Sequence, residues 1–157
     1  MIRRAIPEDA EAVAALLVRS IREVCGPDYN NDDAVLAAWC ANKTPENMQR
    51  GIENPNNYWI VALDGDTTAG TALMTIEGEI LLCYLLPEYL GRGFGKAMLN
   101  DMMDHARASG LRKVVLESTR TAKGFYLGNG FVETGAVMGM GMIPCFAMER
   151  DLTTNHG

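Results

Sequence analysis

Three glycines at alternate positions, Gly91, Gly93 and Gly95 in L-G-R-G-F-G-K-A, form the stretch of this chain best suited to chemistry. Glycine reaches backbone angles closed to other residues, so such a loop can turn several N–H groups on one point. The helix that the loop opens aims the positive end of its dipole at the same point. The chemistry is that of an anion site, for a phosphate or pyrophosphate above all. Arg92 and Lys96 add side-chain cations there, in a chain whose formal net charge is -6.

The spacing excludes two common phosphate chemistries. In G-x-x-x-x-G-K-[ST] a hydroxyl after the lysine holds magnesium, but Ala97 follows Lys96 and position 90 is Leu. In G-x-G-x-x-G a third glycine closes the turn, but Lys96 or Met98 stands there, counting from Gly91 or Gly93. Nucleophilic and metal chemistry find little support. His105 falls in the helix after the loop and His156 near the end of the chain, so no Ser-His-Asp set is suggested. Cys25, Cys40, Cys83 and Cys145 are scattered with no C-x-x-C pair, which reads as packing rather than a disulfide framework or a zinc site. Cys83 lies in an apolar strand with no histidine nearby in sequence to activate it.

The elements that must position the loop read as follows. Ile2 to Ala5 is an opening strand, and P-E-D-A-E starts a helix whose apolar face holds Ala10, Val13, Leu17, Ile21 and Val24, ended by Gly26 and Pro27. Asn30 or Asn31 is placed to cap a second helix bearing Val35, Leu36 and Trp39. A third short helix begins at Thr44-Pro45 and stops at Gly51. These helices either cover the sheet or wall a pocket. Tyr58 to Leu63 and Thr68 to Glu77 read as a hairpin across D-G-D, and Glu77-Gly78-Glu79 turns the chain again. Ile80 to Leu86 is apolar without alternation, which predicts a central strand covered on both faces. After the loop, Met98, Leu99, Met102, Met103 and Ala106 form a helical stripe ended by Ser109-Gly110. Val114 to Leu116 is a buried strand reached by a right-handed parallel crossover. Thr121 to Gly128 is a short helix, and Phe131 to Ala136 and Ile143 to Met148 are closing strands.

At 157 residues, with 48% hydrophobic and 22% charged side chains, the chain reads as one globular domain over 1–152 with a frayed tail, 153–157. Its negative charge argues against a nucleic-acid partner. Arg3 and Arg4 run directly into Pro7, Glu8, Asp9 and Glu11 with no apolar signal core, and the run from Ile80 to Leu86 is too short to span a bilayer. The expected residence is cytoplasmic, with no membrane partner.

The strand at Glu79 to Leu86, the loop Leu90-Gly91-Arg92-Gly93-Phe94-Gly95 and the helix after it resemble the [RQ]-x-x-G-x-[GA] signature of the GNAT superfamily of acetyl-CoA dependent N-acyltransferases. A-K-G-F-Y-L-G-N-G-F at 122–131 resembles that family's later A-x-x-F-Y-x-x-x-G-F segment. The resemblance implies an α/β fold, with a central mixed sheet of about six to seven strands flanked by about four to five helices. It implies a sheet that splays after Cys83, with backbone groups of Tyr84 and Leu85 on the pantetheine arm of acetyl-CoA. The N–H groups from Gly91 and Arg92 through Gly93, Phe94 and Gly95 to Lys96 would hold its pyrophosphate, and no metal is called for. The sequence departs from the pattern at Leu90, where Arg or Gln is usual, and at Thr119, where Asn often stands.

The chemistry so implied is acetylation of a primary amine of a small molecule or peptide. An alkylammonium with a pKa of about 10.4 must lose a proton before it attacks, which asks for a base or a water path. Glu79 in E-I-L-L-C matches the base of the histone-modifying branch, with Glu77 as its alternative, and both also fit an inert exposed turn. Tyr126 matches the tyrosine that protonates the departing thiolate, and a backbone N–H near Leu85 would meet the oxyanion. Acceptor choice would lie in the helices over 10–51 and the loop at 136–142. Asp28, Asp32 and Asp33 either draw a cationic amine or cap helices. The methionines at 138, 140, 142 and 148 fit a pocket, a homodimer contact or plain core. Two competing readings are a catalytically silent acyl-CoA-binding regulatory module and a nucleotide-binding domain using the same loop.

Overall fold

The computed structural model describes residues 1–29, 31–138 and 144–153, with side chains for all of these except 28, 29, 136–138 and 144. The chain runs β1 (Ile2–Arg4), α1 (Ala10–Glu23), α2 (Asp33–Cys40), α3 (Pro45–Glu53), β2 (Asn57–Asp64) and β3 (Thr67–Thr75). It continues through β4 (Glu79–Leu85), α4 (Phe94–Ala108), β5 (Lys113–Ser118), α5 (Arg120–Leu127), β6 (Val132–Met138) and β7 (Pro144–Asp151). The sheet order is β1-β2-β3-β4-β5-β7-β6, and every neighbouring pair is antiparallel except β4 and β5. The mixed sheet and five helices expected from the sequence are present.

Alternation along β2 divides the apolar residues between two cores. Ile60 and Ala62 join Met98, Leu99, Met102 and Met103 of α4 on one face. Trp59 and Val61 join Val13, Leu17 and Met48 of α1 and α3 on the other. The junction of β1 and α1 is held by Asp9, which accepts from Arg3 Nη1 and Nη2 at 2.7 and 2.9 Å and from the Ile6 N–H at 2.8 Å. A proline early in the turn suits this start, because its missing N–H would have no partner there. Between the two faces, Trp59 Nε1 donates to Thr71 Oγ1 at 2.8 Å, and that hydroxyl donates to the Ile60 carbonyl at 2.9 Å.

Several local readings are corrected. Helix α2 is capped by Asp32, whose carboxylate accepts from Ala34 N and Val35 N at 3.0 and 3.2 Å. Asn31 instead takes a left-handed turn with φ 53°, and Asn30 lies outside the described residues. Helix α3 begins at Pro45 with Thr44 as its cap, as expected, but runs past Gly51 to Glu53. Gly51 serves packing: a Cβ there would lie 2.5 Å from Trp59 Cζ3.

Strand β4 is covered on both faces as expected, except at Leu81, which is 49% exposed. The ladder with β3 pairs Leu73 with Leu82 but Met74 with Ile80, so Leu81 is the extra residue of a β-bulge. The bulge reverses the phase of the strand. Ile80 and Cys83 face the α4 core, whereas Leu82 and Tyr84 face the α1 core. The apolar run fails to alternate because it is out of phase with itself. The tail beyond Thr153 and residues 139–143 lie outside the described residues.

Candidate active site

The bulge lies where β4 parts from β5. The parallel pairing holds only at Glu79 with Val115 and Ile80 with Leu116, supported by Val115 N donating to the Gly78 carbonyl at 2.9 Å. Gly78 takes φ 94°, and a Cβ on it would meet the Lys113 carbonyl at 2.9 Å, so this join requires glycine. Beyond it β4 stays paired to β3 through Leu85, and β5 stays paired to β7 through Ser118. Each strand is held by its outer neighbour, and a V opens between them. It opens after Ile80 rather than after Cys83, because the bulge at Leu81 bends the strand there.

A cleft of about 420 Å³ fills the V, with Cys83, Tyr84 and Leu85 on one wall and Glu117, Ser118 and Thr119 on the other. The N–H of Leu86 is used by β3, donating to Ala69 O at 2.9 Å. Alternation along a strand therefore turns the backbone groups of Leu85 and Cys83 into the V and those of Tyr84 toward β3. Tyr84 lines the cleft, but its backbone groups, expected there, turn toward β3.

The glycine loop stands at one end of the cleft, which Leu90, Gly91, Gly93, Gly95 and Lys96 help to line. Gly91 and Gly93 have φ of 73° and 89° with open space where a Cβ would stand, so backbone angle is their reason for being glycine. Gly95 has a different reason. A Cβ there would lie 3.1 Å from Phe125 Cζ and 3.5 Å from Leu85 Cδ1. Gly93 caps α4, whose first N–H groups have no partner within the helix and point toward the cleft mouth. Tyr89 anchors the loop from below, donating its hydroxyl to Asp64 Oδ2 at 3.0 Å while its ring meets Phe94 edge-on. The Arg92 guanidinium lies 4.8 Å from the Tyr89 ring centroid, over the anchor rather than on the cleft wall. Leu90 is half-exposed at the mouth.

Tyr126 is buried on the cleft floor, edge-on to Phe125 and Phe131, and its hydroxyl interacts with the Cys83 thiol. Burial, reinforced by Cys83 and Tyr84, pushes its hydroxyl well above the ordinary phenol range, so it keeps its proton. Burial also pushes the Cys83 thiol up to about 11. A thiol held in that range supplies almost no thiolate at neutral pH and makes a poor nucleophile.

A second cavity of about 370 Å³ meets the first along Ile80, Leu82 and Glu117. Glu79 lines it, together with Glu117, Lys43, Trp39, Tyr84 and Thr119. Glu77 is exposed and lines neither space. Asp32 is occupied as a helix cap, and Asp33 pairs with Arg22 at 3.0 Å. Met148 is core, whereas Met140 and Met142 lie outside the described residues. Glu117 and Lys43 went unnoticed in the sequence. The parallel register that sets Leu116 beside Ile80 could have flagged Glu117, whereas A-N-K-T between two helices carries no signal for Lys43. Thr119, which departs from the family pattern, caps α5 by accepting from Ala122 N at 3.4 Å. Among the described residues no group of three or more His, Cys, Asp or Glu is arranged to hold a metal ion, and no helix is long and apolar enough to cross a membrane.

The fold has close parallels among solved structures. A GCN5-related N-acetyltransferase from Rhodopseudomonas palustris superimposes with a TM-score of 0.84 at 22% identity, over 96% of this chain and 94% of that one. The PaiA N-acetyltransferase of Thermoplasma acidophilum in complex with coenzyme A gives a TM-score of 0.80 at 21% identity, over 96% and 98%. In sequence, the N-alpha-acetyltransferase RimI of Mycobacterium tuberculosis is 28% identical over 98 residues, which cover 58% of this chain and 62% of that protein. The chain spans less than two thirds of the length of the curated relatives it matches. Residues 25–152 match the acetyltransferase (GNAT) domain, so the chain belongs to the GNAT family of acetyltransferases.

Proposed function

We propose that the chain transfers an acetyl group from acetyl-CoA directly to a primary amine of a small molecule or peptide. The observation that carries this reading is the V between β4 and β5, with an anion-binding loop at one end, a protonated tyrosine on its floor and a second cavity opening beside it. The coenzyme A complex of the PaiA N-acetyltransferase supports acyl-CoA as the occupant of the first cleft.

The pyrophosphate of acetyl-CoA would lie on the N–H groups opening α4, with Lys96 beside it, and the pantetheine arm along the Leu85 edge of β4. The amine enters from the second cavity and gives up a proton to Glu79, directly or through water. Its nitrogen attacks the thioester carbonyl, the C–N bond forms and the oxyanion is met by the Leu85 N–H. The C–S bond then breaks and the sulfur leaves as a thiolate that takes the Tyr126 proton, while the second proton of the acylated nitrogen returns, through water, to the Tyr126 oxygen. Leu90 removes one side chain from the loop but none of its backbone donors, so it weakens cofactor affinity without abolishing it.

A thermal-shift comparison of acetyl-CoA, CoA, ATP and NAD tests the first half of the reading. Stabilisation by acetyl-CoA and CoA is expected. Stabilisation by ATP or NAD alone would assign the loop to nucleotides instead. An amine panel then separates an acetyltransferase from a silent acyl-CoA-binding module, which would bind tightly and turn nothing over.

A further inference from the structure

The second cavity carries both signs of charge. Glu79 and Glu117 face it from the diverging strands, and Lys43 faces it from the segment between α2 and α3, with Trp39 and Tyr84 as aromatic walls. The rings of Trp39 and Tyr84 meet edge-on, their centroids 6.4 Å apart. Among the described residues, neither the two glutamates nor the lysine take part in an ion pair, although all three line one cavity of about 370 Å³. The Lys43 ammonium donates to Asn42 Oδ1 at 2.8 Å, a neutral partner. Lys43 is half-buried, and loss of water lowers its pKa below the ordinary lysine value. A cation held away from water beside a neutral amide is incompletely compensated, and an anion arriving with the ligand would complete it.

Resting on the acetyl-transfer reading, we propose that the acceptor is an amine that also carries an anionic group, the amine lying between Glu79 and Glu117 and the anion on Lys43. An amine alone would satisfy the two carboxylates and leave the lysine as it stands. An amine bearing a second cation would meet Lys43 with like charge. A carboxylate and a phosphate offer the same chemistry to an ammonium, so the two sources are separated by experiment.

The test uses matched acceptors that differ by the anion alone: 4-aminobutyrate against butylamine, and O-phosphoethanolamine against ethanolamine. With wild-type protein and saturating acetyl-CoA, kcat/KM is expected to favour the anionic member of at least one pair by about 10- to 100-fold, mainly through KM, the scale of one charge-assisted hydrogen bond. The pair that shows the preference identifies carboxylate or phosphate. The ratio is expected to collapse toward one in Lys43→Gln and to survive in Lys43→Arg. Equal or better use of the members that lack the anion, or a ratio unchanged in Lys43→Gln, overturns the proposal while leaving acetyl transfer intact. If no acceptor is turned over, acetyl transfer itself is in question, and thermal shift of the CoA-saturated protein reads the site independently. A rise with 4-aminobutyrate or O-phosphoethanolamine that is absent in Lys43→Gln supports the charge assignment, and no rise in the wild type overturns it.

Discussion

The Tyr126 hydroxyl and the Cys83 thiol interact on the lining of the cleft, which joins a helix of the second motif to the strand before the glycine loop. The two groups are matched in an instructive way. Burial raises both, so the phenol stays protonated and able to donate while the thiol stays protonated and unreactive. In the proposed mechanism, the same apolar surroundings would supply both an acid for the departing thiolate and an inert neighbour beside it.

The first consequence concerns the acid. Tyr126→Phe should lower kcat about tenfold with little change in the KM for acetyl-CoA. The loss is modest because a thiol with a pKa of about 8.5 already leaves readily. Because the phenol is raised, the wild-type rate should show no fall from tyrosine ionisation on the alkaline side up to pH ~10, the ordinary phenol pKa. A steady-state pH profile of both proteins checks this, and a wild-type decline that disappears in Tyr126→Phe would contradict it.

Cys83 should never carry the acetyl group. Incubation with acetyl-CoA and no acceptor, followed by intact-mass and peptide mass spectrometry, should find no acetylated Cys83. A stoichiometric thioester at that residue, discharged on adding amine, would replace direct transfer with a two-step route.

The glycines of the loop should fail for different reasons. Gly93→Ala forces a side chain into a left-handed angle of 89°, which costs roughly 1–2 kcal/mol and misaims the helix-opening N–H groups. Gly95→Ala instead presses on Phe125, whose ring lies within 3.1 Å of the new atom. Both should weaken CoA binding about tenfold, a change of ~1.4 kcal/mol. Adding Phe125→Leu should relieve Gly95→Ala and not Gly93→Ala. Calorimetric titration of the four variants measures the difference, and equal rescue of both would refute the distinction.

Asp9 should matter to stability rather than to turnover. Its carboxyl is held below the usual range, first by the hydrogen bonds from Arg3. A depressed folded-state value means that the contribution is present above the unfolded value of about 3.9 and is lost as pH falls through the lower, folded one. Asp9→Asn should cost about 2 kcal/mol at pH 7, and the gap from the wild type should close on acidification below pH ~4. Urea unfolding at several pH values tests the sign, and a gap that widened in acid would contradict the linkage.

Much of the fold was legible because its signals are local. The methionine stripe of α4, Pro7 and Pro45 at helix starts and the loop glycines report backbone preferences that tertiary contacts did not override. The bulge at Leu81 was not legible, since seven apolar residues in a row hide a change of phase, and the same bulge decides where the strands part. Gly51 read as a helix stop because nothing local reveals the Trp59 ring that needs the space. The first cleft was legible in part, since Gly91, Gly93, Gly95 and Tyr126, which two sequence motifs carry, all line it. Of the second cavity only Glu79 was named from the sequence; Lys43 and Glu117 were not, because they come from separated segments that meet Glu79 only in the folded sheet.

Release of coenzyme A from acetyl-CoA, followed across a broad panel of primary amines, bears most directly on the transfer reaction. Amine-dependent release is predicted with at least one acceptor, matched mole for mole by its N-acetyl product. No release with any amine, together with no measurable binding of acetyl-CoA, would contradict it.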